Sequence, residues 1–388
     1  MKYIIALQII FICSFSYAQN FQIQKLVVDK NTKAPLENVI ISNENDNSIT
    51  NSEGKFLFVS QQNEINLNLL GYNKIKTTFE KLKNEKDTIF MEIKTFELRE
   101  VVISNTEAFM KKVYDKFQDN LLQNYTLNFF LRNVFKKDQV NILLQDIYAR
   151  KNKNASLKNN LTIEILNMRK TSLFEKKDKI HFQFPDFDGL FHIIVPQIEK
   201  CNFVEIPFND NNFKKIIFKT NERVQSGQIW TGYFIINRKD YAVVEYSLTL
   251  IDDPEKIPYK KILLSKEEYR TTKWTKFTQF TKDSKSNKYY PSNIKIDNQV
   301  EMLVYKESKK NIYYDFTMDF FATNSPTNEK IKSNFVIYND IFRAKFPYSK
   351  DFWNNQNQLP LTLELEQFLN SVSEKKDKTK EFEIISNF

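Results

Sequence analysis

The sequence predicts a mainly β fold in which a seven-stranded β-sandwich precedes a second, larger region of long strands. Two patterns predict it. Between residues 21 and 103, short stretches of alternating apolar and polar residues are separated by polar turns about ten residues apart. From residue 125 to residue 322 the alternating stretches are longer. The chain also has 35 Phe and 18 Tyr residues, which are enough to fill a large core in both regions.

The N-terminus has the layout of a secretory signal peptide. A positive start at Lys2 is followed by a nearly continuous apolar run over residues 3–15, and Ser16 and Ala18 place small residues where signal peptidase reads them. We therefore expect cleavage between Ala18 and Gln19. No later stretch approaches the roughly 18 apolar residues of a membrane span, so we expect no transmembrane helix after the signal is removed.

The cysteine content favours a fold that is held by its core. Removal of the signal also removes Cys13 and leaves Cys201 alone, so the mature chain cannot form an intrachain disulfide. A lipoprotein signal would use Cys13, but residues 10–12 lack the small side chains that such a signal needs. We expect Cys201 to be a small buried apolar residue, the alternative being a catalytic thiol with a histidine partner.

The charge of the chain argues against a nucleic-acid partner. The net charge of +9 comes from 57 basic and 48 acidic residues, which are spread rather than clustered. Nucleic-acid binding normally uses a basic stripe, so we expect no nucleic acid as a partner. We expect instead a solvated surface with a mild attraction to anionic components of a cell envelope.

The stretch "ITNSEGKFLF" (residues 49–58) holds one of only five glycines in 388 residues. Gly54 lies between two short strands, where a tight turn often needs a residue at positive φ, which glycine adopts without steric hindrance. We expect Gly54 to turn a hairpin. Gly71, in "LNLLGYNKI", is expected at a bulge or bend between two further strands.

The order of these features resembles that of a known family. The stretches that carry the resemblance are "LVVDKNTKAPLENVIIS", "ITNSEGKFLF", "LNLLGYNKIKTTF" and "FELREVVI". They are similar to the carboxypeptidase-like regulatory domain, a transthyretin-like sandwich found at the start of many exported Gram-negative envelope proteins. The resemblance implies such a domain over residues 19–104 and a location in the periplasm or at the outer membrane. It departs from the family pattern at Glu37 and Asn38, where a glycine turn is common.

The resemblance is to the accessory domain of metallocarboxypeptidases and not to their catalytic domain. Zinc peptidases need His and Glu ligands at close spacing. The chain has two histidines, His181 and His192, and the positions three residues further on hold Phe184 and Val195 where a His-x-x-Glu pair would have Glu. We therefore predict no peptidase site, no catalytic residue, no metal ligand and no cofactor.

Neighbouring carboxylates occur at Asp186 and Asp188 and at Asp252 and Asp253. Glycosidases place their two carboxylates across a cleft, and calcium sites collect more acidic ligands in one loop, so we expect turns and caps at these positions. The stretch Asp87-Thr88-Ile89 resembles the acceptor for O-glycosylation in some Gram-negative periplasms.

A helix is predicted at the start of the second region. Ser104 and Glu107 fit a capping box, in which each side chain accepts a hydrogen bond from a free backbone N–H. An apolar stripe at i+4 spacing then predicts an amphipathic helix over residues 106–122. The stripe consists of Phe109, Val113, Phe117 and Leu121. We expect this helix to pack on the next sheet, the alternative being a membrane-surface helix favoured by its lysines.

The stretch "GQIWTGYFIINRKDYAVV" (residues 227–244) resembles a segment of large envelope proteins that carry the same N-terminal sandwich. In them it is similar to the curved antiparallel sheet of lipoprotein carriers, an open half-barrel with helices against its concave side. The resemblance implies a curved sheet of this kind over residues 105–358. A C-terminal helix and a charged tail are expected over residues 359–388.

Two functions remain open. The first is a non-catalytic exported protein whose modules bind or scaffold another envelope protein, a glycan or a lipid. The alternative is a periplasmic carrier of a lipid or other hydrophobic ligand, with a half-barrel pocket lined by Phe129, Trp230, Phe234 and Tyr241. These side chains would close into a core in the first case and line an open pocket in the second. An enzyme would instead need several charged side chains with shifted pKa values in one cleft.

Overall fold

The computed structural model describes residues 20–95, 105–154, 161–174, 182, 184, 199–221, 228–251, 253–262, 266–305, 309–375 and 385–386. The chain forms two small sheets and one large sheet, and it has the mainly β fold that the sequence predicts. Several predicted features lie outside the described residues. These are the signal peptide with Ala18 and Gln19, Ser104, His181, His192, Asp186, Asp188 and Asp252.

Seven strands build the N-terminal sandwich, as expected. One sheet has the order β4-β1-β7 and the other β3-β2-β5-β6. The strands are β1 (Phe21–Asp29), β2 (Ile40–Ser42), β3 (Asn47–Ile49), β4 (Lys55–Ser60), β5 (Glu64–Asn68), β6 (Ile75–Thr78) and β7 (Thr88–Met91). Both sheets contribute alternate apolar side chains to one core, which includes Val27, Ile41, Phe56, Phe58 and Leu67.

Gly54 has the positive φ that the sequence predicts, but it does not turn a hairpin. Its φ is +73°, and β3 before it pairs with β2, whereas β4 after it pairs with β1. The turn therefore carries the chain from one sheet of the sandwich to the other. Asn51 fixes the turn, because its Oδ1 accepts the N–H groups of Glu53 and Lys55, each at 3.0 Å. A Cβ at position 54 would lie 2.5 Å from the carbonyl oxygen of Val27.

A short helix that the sequence did not predict, α1 (Phe79–Asn84), follows β6. The Thr78 hydroxyl accepts the N–H of Lys81 at 3.2 Å and so caps the helix. Phe79 then stacks on Phe58 in the sandwich core, with ring centroids 5.5 Å apart. The alternating pattern alone had extended the strand through Phe79.

The predicted amphipathic helix is α2 (Thr106–Asn120). Its cap differs from the prediction by one residue, because the Asn105 side chain accepts the N–H of Ala108 at 3.0 Å. Asparagine and serine are equally good at this position, so the sequence could not decide between neighbours. Of the predicted stripe, Val113 and Phe117 are buried against the large sheet, whereas Phe109 and Leu121 are only partly buried. The helix also buries Met110, which the stripe does not include.

The large sheet contains the remaining twelve strands, and all of its strand pairs are antiparallel. Its order is β11-β12-β13-β14-β16-β17-β18-β8-β9-β10-β19, with β15 paired to β16. The strands are β8 (Asn124–Lys137), β9 (Val140–Asn154), β10 (Leu161–Ser172), β11 (Cys201–Ile206), β12 (Phe213–Thr220), β13 (Trp230–Asn237), β14 (Val243–Leu250), β15 (Lys260–Lys261), β16 (Glu268–Lys282), β17 (Tyr289–Tyr305), β18 (Lys309–Ala322) and β19 (Ile385–Ser386). A 3₁₀ turn (Pro254–Lys256) and the helices α3 (Lys350–Asn354) and α4 (Leu363–Lys375) complete the described elements.

Strand β17 joins two stretches that the sequence pattern separates. It runs for 17 residues although it contains Pro291, which has no N–H to donate to a neighbouring strand. The register with β16 shifts between Gln279 and Phe280, so the proline pairs at a bulge. Because the regular hydrogen-bond pattern is already interrupted at the bulge, the missing N–H of the proline does not end the strand.

The large sheet has two faces with different covers. One, which we call the α2 face, carries Phe129, Phe234 and Phe320 and is covered in part by α2. The other, which we call the sandwich face, carries Phe130 and Phe321 and is covered by the sandwich, α3 and α4. Because successive residues of a strand point to opposite faces, the neighbouring residues Phe129 and Phe130 belong to different cores.

The sandwich packs directly on the sandwich face. The loop that departs from the family pattern makes two of the contacts: the Lys295 Nζ lies 2.6 Å from the Glu37 carboxylate, and the Asn293 side chain donates to the Asn38 Oδ1 at 3.0 Å. Asn38 adopts a positive φ of 63°, which asparagine tolerates better than most residues. Ile49 adds an apolar contact to the cluster around Phe130.

Candidate ligand-binding site

The structure does not bring the four predicted ligand-binding side chains into one pocket. Phe129 is buried on β8, whereas Trp230 and Phe234 are buried on β13, and four strands lie between them. Tyr241 is partly buried in the turn after β13 and contacts Phe109 of α2, with ring centroids 5.3 Å apart. All four belong to the α2 face, in two separate packed clusters.

The first cluster lies under α2. Met110, Val113 and Phe117 of the helix belong to one buried cluster with Trp230 and Phe234, to which strands β11, β12 and β14 also contribute. We call this the α2 cluster. It also contains the following buried residues of the neighbouring strands: Cys201, Ile216, Phe218, Tyr246, Leu248 and Leu250.

The second cluster covers β8, β9, β10, β17 and β18 and lies under residues 335–346, which we call the cover segment. Buried polar side chains fasten this segment to the sheet. The Gln145 side chain donates to the Ile341 carbonyl at 2.9 Å. The Lys170 ammonium donates to the carbonyls of Phe342 and Ala344 at 3.0 and 2.8 Å. The two clusters therefore have separate covers.

Trp274 on β16 lies at the border of the two clusters and contacts both. It is partly buried, and its ring meets that of Trp230 edge-on with centroids 5.3 Å apart. We call the border the seam, and define it by Trp274, Lys276 and Thr278 of β16 with Ile296 and Asn298 of β17. These residues point to the α2 face, because directly paired residues of antiparallel strands share a face.

Lys276 occupies the centre of the seam. Its strand neighbours across the sheet are Leu248 of the α2 cluster and Ile296 of the second cluster. The residue is 1% exposed, and its Nζ has no hydrogen-bond partner within the described part of the chain. The ring of Tyr246 lies 5.8 Å from the Nζ.

Two further polar atoms of the seam are buried without a hydrogen bond in the described residues. They are the Thr278 Oγ1, two residues along β16, and the Asn298 Oδ1, which belongs to the residue paired with Trp274. Nearly all buried polar atoms in native proteins have a partner, so three such atoms in one small area are unusual. The seam thus combines apolar walls with polar atoms that are available to a ligand.

Sequence reasoning missed Lys276. In "WTKFTQF" (residues 274–280) the lysine lies two residues after Trp274 and therefore on the same face of the strand. This spacing could have placed Lys276 beside the tryptophan. Phe277 on the opposite parity made the buried face ambiguous.

A second candidate site is a cavity of about 200 Å³ between the sandwich and the large sheet. Among its lining residues are Glu37, Arg132, Lys295, Asp297 and Asp319. Burial raises the pKa of the Asp319 carboxyl to about 6. Burial would lower the pKa of Lys295, but the neighbouring carboxylates of Asp319, Glu37 and Asp297 raise it. The cavity is therefore lined by charged side chains of both the sandwich and the large sheet, and we call it the joint between the two.

The groups that would hold a metal or act as a nucleophile are sparse in the described ranges. Those ranges contain no cluster of three or more His, Cys, Asp or Glu residues that could hold a metal ion. Burial raises the pKa of the Cys201 thiol to about 11, so the thiolate is disfavoured.

Of the predicted glycosylation stretch, Asp87 is exposed and Thr88 is half-buried at the start of β7.

None of the helices in the described part of the chain is long and apolar enough to cross a membrane. The chain matches no protein-family model and no curated protein sequence.

The solved structures that are similar to this chain include the following two. One is lipovitellin, in a structure described as "lipid-protein interactions in lipovitellin", with a TM-score of 0.27, 10% identity and coverage of 58% of this chain and 28% of that chain. The other is a LolA superfamily protein from Nitrosomonas europaea, with a TM-score of 0.21, 6% identity and coverage of 57% of this chain and 94% of that chain. With TM-scores this low, neither likeness decides the ligand of this chain.

Proposed function

We propose that the protein binds a hydrophobic ligand in the seam, between α2 and the cover segment, as a non-catalytic protein of the Gram-negative envelope. The observation that carries the proposal is the position of Trp274, a large apolar side chain that is left partly exposed where two separately covered apolar clusters meet. Ligand pockets are typically apolar, with a few polar groups that orient the ligand, and the seam has both.

Phe129, Trp230 and Phe234 are buried in packed clusters, which is the result expected of a scaffold at these three positions. The carrier proposal rests instead on the separate covers of the two clusters.

Helix α2 is held to the sheet by apolar packing and, at its last turn, by hydrogen bonds from Asn120 to the Asp240 carbonyl and from Lys288 to the Asp119 carbonyl. The cover segment is held by hydrogen bonds from Gln145 and Lys170. A small displacement of either cover would widen the seam without breaking a strand pair. The ligand would then replace water along Trp274, and burial of its alkyl surface would provide about 25 cal/mol per Å².

The aromatic residues that the sequence analysis placed in a pocket do not contact the ligand directly in this proposal. Phe129, Trp230 and Phe234 form the packed floor of the two clusters, so their role is to shape the seam rather than to line an open pocket. The charged cavity between the sandwich and the sheet is the weaker candidate, because its Lys295 and Glu37 already pair with each other at 2.6 Å.

Tryptophan fluorescence tests the location of the ligand. The chain has three tryptophans, of which Trp230 and Trp274 are on the α2 face and Trp353 is buried on the sandwich face. A brominated alcohol such as ω-bromododecanol, which quenches on contact, should quench the emission of the full mature chain to a saturating level. The quenched fraction should rise in Trp353→Phe and fall in Trp274→Phe. Equal fractions in both variants, or the absence of saturable quenching, would contradict the proposal.

We also propose that the protein is exported and that its N-terminal sandwich is a carboxypeptidase-like regulatory domain. Export predicts that the protein accumulates outside the cytoplasm with Gln19 as its first residue, which the intact mass of the purified protein reports. A mass that includes residues 1–18 would contradict export. The resemblance of residues 19–104 to the carboxypeptidase-like regulatory domain adds a sandwich that we propose to serve as a fixed part of the fold.

A further inference from the structure

We infer that the ligand of the seam is an amphiphile with an anionic head group, a carboxylate or a phosphate, which pairs with the Lys276 ammonium. This inference rests on the proposed function and adds the chemical class of the ligand. It starts from the burial of Lys276, which is 1% exposed and has no oxygen partner within the described residues.

Lys170 and Lys214, two of the other lysines buried on this face, differ from Lys276 in their partners. Lys170 donates to two carbonyl oxygens of the cover segment, and Lys214 lies 2.6 Å from the Glu205 carboxylate. Each of these side chains is therefore compensated by an oxygen acceptor of the protein. Lys276 is more deeply buried than either of them, and it has the ring of Tyr246 in place of an oxygen. Lys151 of β9 is also fully buried on this face, near the rings of Tyr125 and Phe320, but it lies outside the seam.

The aromatic contact does not compensate for the loss of water. Even after the protein relaxes, removing an ammonium from water costs more free energy than a desolvated cation–π contact returns. An anionic oxygen would supply the missing charge and the missing acceptor together. Because Leu248 and Ile296 flank the lysine across the sheet, the rest of the ligand must be apolar at this point.

The neighbouring polar atoms fit the same head group. The Thr278 hydroxyl, on the same face two residues from Lys276, can donate to a second anionic oxygen. The Asn298 Oδ1 is an acceptor, so it suits a protonated oxygen of the head group or a water that the head group holds. Carboxylates and phosphates both offer the acceptors, and the experiment distinguishes them.

The test compares three ligands with equal alkyl chains on the full mature chain. Dodecanoate, dodecyl phosphate and dodecanol would each displace the neutral fluorescent probe N-phenylnaphthylamine. We expect at least one of the two anions to bind about tenfold or more tighter than dodecanol, since a hydrogen bond to a charged group in a buried site has that effect. The tighter of the two anions identifies the head group.

Lys276→Met keeps the length of the side chain and removes its charge. We expect this variant to lose about 10- to 100-fold in affinity for the preferred anion while its affinity for dodecanol stays within about twofold. The control is Lys273→Met, which removes an exposed charge three residues earlier on β16 and should change neither affinity. The apo form of Lys276→Met should also melt several degrees higher, because it no longer buries a charge without an acceptor.

The outcomes separate the two proposals. If dodecanol binds and neither anion binds tighter, the anionic head group is wrong and the hydrophobic seam remains. An anion preference that survives in Lys276→Met, or a lower melting temperature of that variant, also overturns the role of Lys276. If none of the three ligands binds the wild-type chain, the proposed function itself fails.

Discussion

Asn357 and Val59 join the C-terminal segment to the edge of the sandwich through two reciprocal hydrogen bonds. The Val59 N–H donates to the Asn357 Oδ1 at 2.7 Å, and the Asn357 Nδ2 donates to the Val59 carbonyl at 3.0 Å. Strand β4, which contains Val59, is an edge strand of its sheet. The asparagine side chain thus satisfies the backbone groups that a further strand would have paired.

Removal of this link should destabilise the whole chain. Asn357→Ala leaves two buried backbone groups without partners, so we expect the free energy of unfolding to fall by about 2 to 4 kcal/mol. Urea denaturation followed by tryptophan emission measures the change. Asn354→Ala, at an exposed position of α3, is the matched control and should change stability by less than about 0.5 kcal/mol. Equal stabilities for the two variants would show that the link is not significant.

The buried carboxylate of Asp146 should be essential for stability. Its two oxygens accept hydrogen bonds from Arg132 at 2.7 and 2.8 Å, and one of them also accepts from Arg169 at 2.7 Å. Burial would raise the pKa of Asp146, but the two guanidinium groups outweigh burial and hold the pKa below its usual value. Asp146→Asn leaves the two cations without a counter-charge, and we expect a loss of about 3 to 5 kcal/mol at pH 7.

The pH dependence of that loss gives an independent check. A carboxyl with a lowered pKa contributes stability that is present above its unfolded pKa and is lost as the pH falls through the folded value. The difference between wild type and Asp146→Asn should therefore be constant from pH 8 to about pH 5 and shrink below about pH 4. A difference that stays the same in acid would contradict the ion group as its source.

Asp319 should have the opposite pH dependence. Its ordinary pKa is 3.8, and burial raises the pKa in the folded chain to about 6. The folded chain therefore holds a proton that the unfolded chain has released, so this stability is present below about pH 4 and is lost as the pH rises through 6. We expect Asp319→Asn to be more stable than wild type by about 1 to 3 kcal/mol at pH 8 and equal to it at pH 4.

Urea denaturation at the two pH values measures the Asp319 effect. The control is Asp115→Asn on the exposed side of α2, which should shift stability equally and slightly at both pH values. If Asp319→Asn is less stable than wild type at pH 8, the ionised carboxylate stabilises the joint between the sandwich and the sheet, and the raised pKa is wrong.

Alanine substitutions at Gly54 and Gly71 separate two costs of adding a Cβ: the strain of a left-handed backbone and a steric clash with neighbouring atoms. Both have positive φ, +73° and +85°. A Cβ at position 71 would have its nearest neighbours at 3.9 Å, whereas one at position 54 would meet the Val27 carbonyl oxygen at 2.5 Å. We expect Gly71→Ala to cost about 1 to 2 kcal/mol from the left-handed backbone alone and Gly54→Ala to cost at least about twice as much. Equal losses in thermal or urea unfolding would rule out the collision.

The sequence predicted the features that local patterns encode. Strands β1 and β12 coincide with stretches of alternating apolar and polar residues, because such alternation directly reports a strand with one buried face. The positive φ of Gly54 followed from the scarcity of glycine. The partner of β4 did not follow, because which sheet a strand joins depends on contacts distant along the chain.

The joint between sandwich and sheet was beyond sequence reasoning for the same reason. Val59 and Asn357 are 298 positions apart, and nothing local marks either residue as a partner of the other. Glu37 and Asn38 depart from the family pattern, and the structure shows that both residues contact the large sheet, through Lys295 and Asn293. The sequence does not reveal these distant partners. Lys276 could not be assigned to the buried face, because Phe277 places an apolar residue on the opposite face of the same strand.

The most direct measurement of the central claim is an anomalous-scattering experiment. Crystals of the full mature chain grown with ω-bromododecanoate would locate the bromine at the end of the alkyl chain. We expect one anomalous peak on the α2 face, in the seam between α2 and the cover segment, and electron density for the carboxylate at the Lys276 ammonium. A peak in another part of the molecule, or its absence from crystals grown at a ligand concentration that saturates binding in solution, would contradict the account.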